Sequence, residues 1–182
     1  ITPSSPPLNL RGGNPKGEGD INRHYVSVRD WNEAGVVDQI VRELEFNDVA
    51  LVSDGGTPLI SDPGYKLVSR ARELGIKIIP IPGPSAVTAA LSVSGLPTNR
   101  FVFWGFWSRK FKLMEEATNV IFESPVRLGK TLTEIKERYP EAQIRVAKEL
   151  TKIHEDISDG EGDLTGNNPK GEATILVYVP KV

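Results

Sequence analysis

The chain has 182 residues, a formal net charge of −2, 38% apolar and 25% charged residues, and no cysteine. That length holds one large domain or two small ones with a real core, and the composition is that of a soluble globular protein. Disulfides, thiolate nucleophiles and thiolate metal sites are excluded, and the near-neutral charge excludes a generally basic nucleic-acid binder, so any RNA contact must use a local patch. Residues 1–20 are rich in Pro, Gly, Asn and Ser and read as loop. Val36, Val37, Ile40, Val41 and Leu44 recur at helical spacing behind Asn32, a residue suited to cap a first turn. Residues 49–52 predict a strand. Asp62 and Pro63 suit the cap and first position of a helix with Leu67, Val68, Ala71 and Leu74 on its apolar face and Gly75 at its end. Residues 77–81 predict a second strand, and 84–94 a small-residue helix closed by Gly95.

That order of helices and strands implies a parallel sheet covered by helices. Beyond residues 95–99 the texture changes. An aromatic strand is expected at 101–106 and another strand at 119–122. A helix with Val126, Leu128, Leu132 and Ile135 apolar starts at Ser124-Pro125, and further strands follow at 144–147 and 173–179. The expected division is an N-terminal α/β domain at 1–97 and a C-terminal α/β domain at 98–182.

Three strand-to-helix junctions carry the candidate chemistry. Ser53-Asp54-Gly55-Gly56-Thr57-Pro58 follows the first expected strand. Loops at the carboxyl ends of strands are where open α/β sheets bind ligands, and paired glycines let a ligand approach the backbone. A tight turn needing glycine for geometry alone is the plainer explanation, but a minimal turn is shorter. In Pro82-Gly83-Pro84-Ser85-Ala86, Ser85 stands at a helix start, where free N–H groups favour an anion. Chemistry alone favours an ordinary capping serine there. In Ile121-Phe122-Glu123-Ser124-Pro125-Val126-Arg127, the Glu123 carboxylate either faces a cleft or hydrogen-bonds the neighbouring helix start.

Arg109, Lys110 and Lys112 lie beside Phe103, Trp104, Phe106, Trp107 and Phe111. Interleaved aromatics and cations can stack bases and neutralise phosphates, and a core strand running into a charged loop explains them equally well. Strict alternation puts Phe101 and Phe103 on one face and Trp104 and Phe106 on the other. Gly129-Lys130-Thr131 resembles the end of a phosphate-binding loop, but the glycine that motif needs is Ser124 here, and the words lie inside an expected helix. His24 and His154 are far apart, so no metal site is expected. No run approaches the ~18 apolar residues of a membrane span. The first residues lack a basic-then-apolar signal pattern, and a cytoplasmic location is expected. Residues 10–18 echo 164–172 at seven of nine positions, for which there is no physical account.

Ser-Asp-Gly-Gly-Thr-Pro-Leu-Ile-Ser-Asp-Pro-Gly-Tyr at 53–65, with Pro-Gly-Pro-Ser-Ala-Val-Thr-Ala-Ala-Leu at 82–91, closely resembles the tetrapyrrole-methylase-like S-adenosylmethionine (SAM) methyltransferases. Within them the words look most like the RsmI-type branch, which methylates a ribose 2'-oxygen of a cytidine in bacterial 16S ribosomal RNA. The words at 121–127, 147–155 and 170–172 are similar to further words of that branch. The resemblance implies two α/β domains with mixed sheets and a cofactor cleft between them, a homodimer, and the decoding region of the small ribosomal subunit as substrate. It implies SAM as methyl donor without a metal, because the sulfonium already makes the thioether a good leaving group.

The resemblance also places Gly55, Gly56, Thr57, Pro58, Ile60, Ser85, Ala86, Phe122, Glu123, Ala147 and Gly171 beside the cofactor, and Arg109, Lys110 and Lys112 on the RNA. Asp54, Glu123 and Lys152 are the candidates for general base, with no choice among them. Two departures stand out. The family's opening Ala-Thr-Pro-Ile-Gly-Asn-Leu has at most a remnant in Ile1-Thr2-Pro3, and its Glu-Asp-Thr-Arg is absent. The segment 107–118 is also shorter than the family's basic linker, so the natural protein is expected to carry further mobile segments. A tetrapyrrole or other small-molecule methyltransferase stays open as an alternative, although that branch usually has Gly-Asp-Pro where this chain has Gly56-Thr57-Pro58. A non-catalytic nucleotide- or RNA-binding module stays open as well.

Overall fold

The structure is a computed structural model that describes residues 25–160 and 171–181. The described chain divides into two compact units. One takes Asp62–Pro80 and the part of the chain up to Val52; the other takes Ser53–Ser61 and the part from Ile81 onward. The possible remnant at Ile1-Thr2-Pro3 and the echo, apart from Gly171 and Glu172, lie outside the described residues, as does His24.

The first unit pairs helix α1 (Glu33–Glu43) with α2 (Tyr65–Glu73) around Val37, Ile40 and Leu67. Asn32 holds the cap position of α1, yet its side chain does not cap the helix. Its Oδ1 instead accepts the Arg29 N–H at 2.7 Å, which closes the preceding turn. Helix α2 starts at Tyr65 behind Gly64, later than the Asp62-Pro63 start expected from sequence. The reason lies far off in the chain. Buried Glu33 accepts the Gly64 N–H at 3.0 Å and the Lys66 N–H at 2.8 Å, satisfying the helix's orphan donors from another helix.

Residues 49–52 and 77–81 do not form the expected strands. A strand exists through ladder hydrogen bonds to a neighbour, and among the described residues these segments have none. Their apolar side chains stay open: Val52 is 79% and Ile79 is 64% exposed.

The second unit contains helix α3 (Ala86–Val93), strands β1 (Phe101–Phe106) and β2 (Ala117–Glu123), and helix α4 (Pro125–Arg138). Strands β3 (Gln143–Lys148), β4 (Asp156–Ser158) and β5 (Ala173–Val179) complete it. The words Gly129-Lys130-Thr131 lie within α4. The strands form one mixed sheet in the order β1-β2-β5-β3-β4, with β1 and β2 parallel and the other neighbours antiparallel. The α/β class with a mixed sheet therefore holds. Strand β4 had no sequence signal, because Asp-Ile-Ser is too short and polar to stand out from a loop.

Strands β2 and β5 are buried on both faces, which is why they read as continuous rather than alternating apolar runs. Ile121, Ile175 and Val177 pack with Leu128, Leu132 and Ile135 of α4. Val120 and Leu176 pack on the other face with Val87, Ala90 and Leu91 of α3. Residues alternate between the two faces along each strand, so α3 and α4 cover opposite sides of the sheet.

Candidate active site at the carboxyl end of the sheet

Strand pairing fixes where the candidate residues meet. Phe106 lies opposite Phe122, and Ala173 lies between Glu123 and Lys148. The carboxyl ends of β1, β2 and β3 therefore share one end of the sheet with the start of β5. Ligands of open α/β sheets bind at such an end.

The loop 53–61 lies against this end. A Cβ on Gly105, near the end of β1, would sit 3.6 Å from Ser61 Oγ. The loop's shape is set internally. Ser53 Oγ lies within hydrogen-bond reach of the Gly55 and Gly56 carbonyls, at 3.2 and 3.0 Å. Thr57 Oγ1 donates to the Pro84 carbonyl at 3.0 Å. This bond joins two words that are 27 residues apart in the chain. Leu59 and Ser61 hold left-handed backbone at φ 73° and 64°. Such conformations in non-glycine residues cost about 1–3 kcal/mol each and cluster at ligand sites.

Several positions predicted for the cofactor or the general base are exposed or half-buried. Asp54, Gly55 and Gly56 are exposed, and a Cβ on Gly55 would meet nothing within 4 Å. Thr57 and Pro58 are half-buried, and Ile60 presents 46% of its surface. Ser85 holds the cap position of α3 without a side-chain cap bond, and Ala86 begins that helix. Ala147 is buried in the α3-side core.

The bulge in β1 corrects the alternation expected from sequence. Pairing slips between Phe103 and Gly105, so Trp104 and Gly105 together oppose one position of β2. Gly105 sits at φ 70°, a conformation that favours glycine. Trp104 packs on the α4 side and donates its indole N–H to Asn119 Oδ1 at 2.8 Å. Phe106 turns to the side of Phe103, and both rings meet Phe122 edge-on at 6.2 and 4.8 Å.

Glu123 resolves toward the helix rather than open space. Its side chain is buried, and Oε1 accepts the Ser124 N–H at 2.8 Å and Arg127 Nε at 2.7 Å. Its Oε2 accepts Thr131 Oγ1 at 2.7 Å. Both carboxylate oxygens are thus occupied by donors at the head of α4.

Beyond β3, Glu149 comes against the start of β5. Its Oε1 accepts the Glu172 N–H at 3.2 Å, and its Oε2 lies 3.3 Å from Lys152 Nζ. Those contacts, the Glu172 N–H first and Lys152 second, hold its carboxyl below the ordinary range. Sequence reasoning missed Glu149 because a charge run resembles any solvated surface.

The basic segment is clasped by α4. Arg109 pairs with Glu134, which also accepts the Trp107 indole N–H at 3.2 Å. Those bonds, that of Arg109 first, hold the Glu134 carboxyl down at about 2. Arg138 donates to the Arg109 and Phe111 carbonyls and lies over the Trp107 and Tyr139 rings. Arg109 is thus occupied structurally, whereas Lys110 and Lys112 are exposed and make no ion pair among the described residues. Lys112 borders an open depression of about 400 Å³ together with Trp104, Leu113, Met114 and Glu115. Among the described residues no group of side chains suits a metal ion, and no helix is long and apolar enough to cross a membrane.

Comparison with known proteins fits this geometry. The Ribosomal RNA small subunit methyltransferase I of Xylella fastidiosa strain Temecula1 is 41% identical over 175 residues, covering 86% of this chain and 64% of that protein. Its namesake in Thermotoga maritima is 36% identical over 171 residues, covering 86% of this chain and 77% of that protein. The chain thus spans under two thirds of the first of these relatives. In fold it is similar to uroporphyrin-III C-methyltransferase from Thermus thermophilus, with a TM-score of 0.59 at 22% identity, covering 80% of this chain and 70% of that one. A structure of that enzyme complexed with S-adenosyl homocysteine gives a TM-score of 0.53 at 16% identity, covering 83% and 75%. The family described as Tetrapyrrole (Corrin/Porphyrin) Methylases matches residues 12–163. The chain, with its two glycine-bearing loops tied together at the carboxyl end of a mixed sheet, belongs to that family.

Proposed function

We propose that the chain is the methyl-transferring part of a SAM-dependent enzyme that methylates the ribose 2'-oxygen of a cytidine in the decoding region of bacterial 16S ribosomal RNA. The observation that carries this reading is the Thr57–Pro84 hydrogen bond, which brings the two most family-specific words together beside the end of β1. The names of the relatives support the ribosomal substrate.

The residues present fit SAM. Bare backbone at Gly55 and Gly56 offers close approach, Ile60 and the Phe106–Phe122 pair offer apolar surface, and the start of α3 at Ser85 favours a carboxylate. Thr57, Pro58, Ala86, Ala147 and Gly171 complete the proposed set. When bound, SAM supplies an electrophilic methyl carbon on a good leaving group, for which no metal is required. The protein's share is to orient the ribose hydroxyl and accept its proton. Asp54, exposed in the loop, fits the proton-accepting role better than the occupied Glu123, whereas Lys152, paired with Glu149 beyond β3, stands as a cation. Lys110 and Lys112 are proposed to meet RNA phosphates, with Arg109 holding their segment in place. A homodimer, a cytoplasmic location and the division at residue 97 belong to this same proposal.

The test is transfer of labelled methyl from SAM to small ribosomal subunits lacking the modification, followed by nuclease mapping. Label on a cytidine 2'-oxygen is expected. Absence of transfer from full-length protein that binds SAM by calorimetry would overturn the reading in favour of a small-molecule substrate or a binding module.

A further inference from the structure

Two stretches that sequence leaves far apart interlock at the reacting end of the sheet. Gly171 lies at φ 109°, and a Cβ there would sit 2.1 Å from Glu149 Oε1. A side chain at 171 would displace that carboxylate, and the backbone conformation itself favours glycine. Glu149 also bonds Glu172 through its backbone, with its N–H donating to the Glu172 carbonyl at 3.4 Å. The loop that follows is strained and closely tied. Glu149 and Thr151 adopt left-handed backbone at φ 48° and 64°, and the Thr151 N–H donates to Glu155 Oε2 at 2.6 Å. Strain of this kind persists only where surrounding contacts over-determine it. Its product is a placed cation: Lys152 Nζ lies 3.3 Å from Glu149 Oε2, with the Lys152 side chain 58% exposed and that of Glu149 only 23%.

We infer that Glu149 is a positioning residue for methyl transfer, acting through Lys152, and that the glycine at 171 lets the Glu149 carboxylate sit against the backbone ahead of β5. This rests on the proposed methyltransferase reading and deepens it. Glu149 seats its carboxylate on the amino end of β5 and holds the Lys152 ammonium toward solvent at the end of β3. Removing the Glu149 charge from near an RNA would by electrostatics alone favour RNA binding. A loss of turnover on its removal is therefore the signature of positioning.

The decisive variants are Glu149→Gln, which keeps an acceptor for the Glu172 N–H but loses the charge facing Lys152, and Lys152→Met. With SAM and unmodified small subunits, Glu149→Gln is expected to lower kcat about ten-fold without raising KM for the RNA. The double variant should be no worse than Lys152→Met alone, since residues acting as one unit are non-additive. Wild-type kcat in Glu149→Gln, or losses that multiply in the double variant, would overturn the inference.

A second readout does not depend on activity. Acylation of Lys152 by an amine reagent, followed by mass spectrometry, should be several-fold faster in Glu149→Gln than in wild type, and equal rates would overturn the inference. If wild-type protein transfers no methyl to RNA, the functional reading fails, and the acylation rates still decide whether Glu149 holds Lys152.

Discussion

Two glutamates stand at the ends of the two strands that flank β5 and do opposite things. Glu123 closes β2, is 3% exposed, and turns both oxygens onto Ser124, Arg127 and Thr131 at the head of α4. Glu149 follows β3, keeps part of its surface, and reaches across to the backbone of Glu172 and to Lys152. Both precede a change of chain direction, and both belong to words shared with the family. Burial and partners separate them: one fastens a helix to the sheet, the other holds a charge at the surface.

Substitutions should pull that pair apart. The largest effect on stability is expected from Glu123→Ala, which strands the Thr131 hydroxyl and the Ser124 N–H and should cost about 3 kcal/mol in denaturant unfolding. A cost below that of an ordinary surface change would show that the α4 cluster is not what fixes the helix. Thr131→Val removes one donor from the same carboxylate and should cost about 1–2 kcal/mol. Glu149→Gln, by contrast, should leave the unfolding free energy close to that of the wild type, as exposed ion pairs contribute little, while lowering turnover. Equal destabilisation by Glu123→Ala and Glu149→Gln would erase the distinction.

A third glutamate gives the smallest and most conditional signal. Glu134 is held at about 2, against an ordinary 4.5, by Arg109 first and Trp107 second. A depressed carboxyl stabilises the fold fully above its unfolded value and loses that contribution as pH falls through its folded value. Acid titration of unfolding should therefore show a decline between about 4.5 and about 2 that is shallower in Glu134→Gln. Identical slopes would mean that the clasp on the basic segment does not contribute.

The helices and central strands were legible in the sequence because their causes are local. The apolar spacing of α1, α2 and α4 and the unbroken apolar runs of β2 and β5 each require one kind of burial. Three expectations failed where the cause was distant. Residues 49–52 and 77–81 have strand-like composition but no ladder partner among the described residues. Helix α2 starts behind Gly64 because Glu33, 31 residues earlier, supplies the acceptor. Phe106 faces Phe122 because a bulge at Gly105 shifts the register by one residue, and such a shift moves every later side chain to the other face. In the candidate site, the glycine-bearing loops were visible as words, whereas Glu149 was hidden in a charge run.

By itself the sequence determined the α/β class, the family and the glycine-bearing loops of the candidate site, since glycine and proline spacing and apolar period are properties of neighbouring residues. Only the tertiary structure decided which carboxylate is occupied, which aromatics meet Phe122 and what stands beside Gly171. Those outcomes depend on atoms brought within a few ångströms by strand pairing, and sequence separation carries no record of that distance.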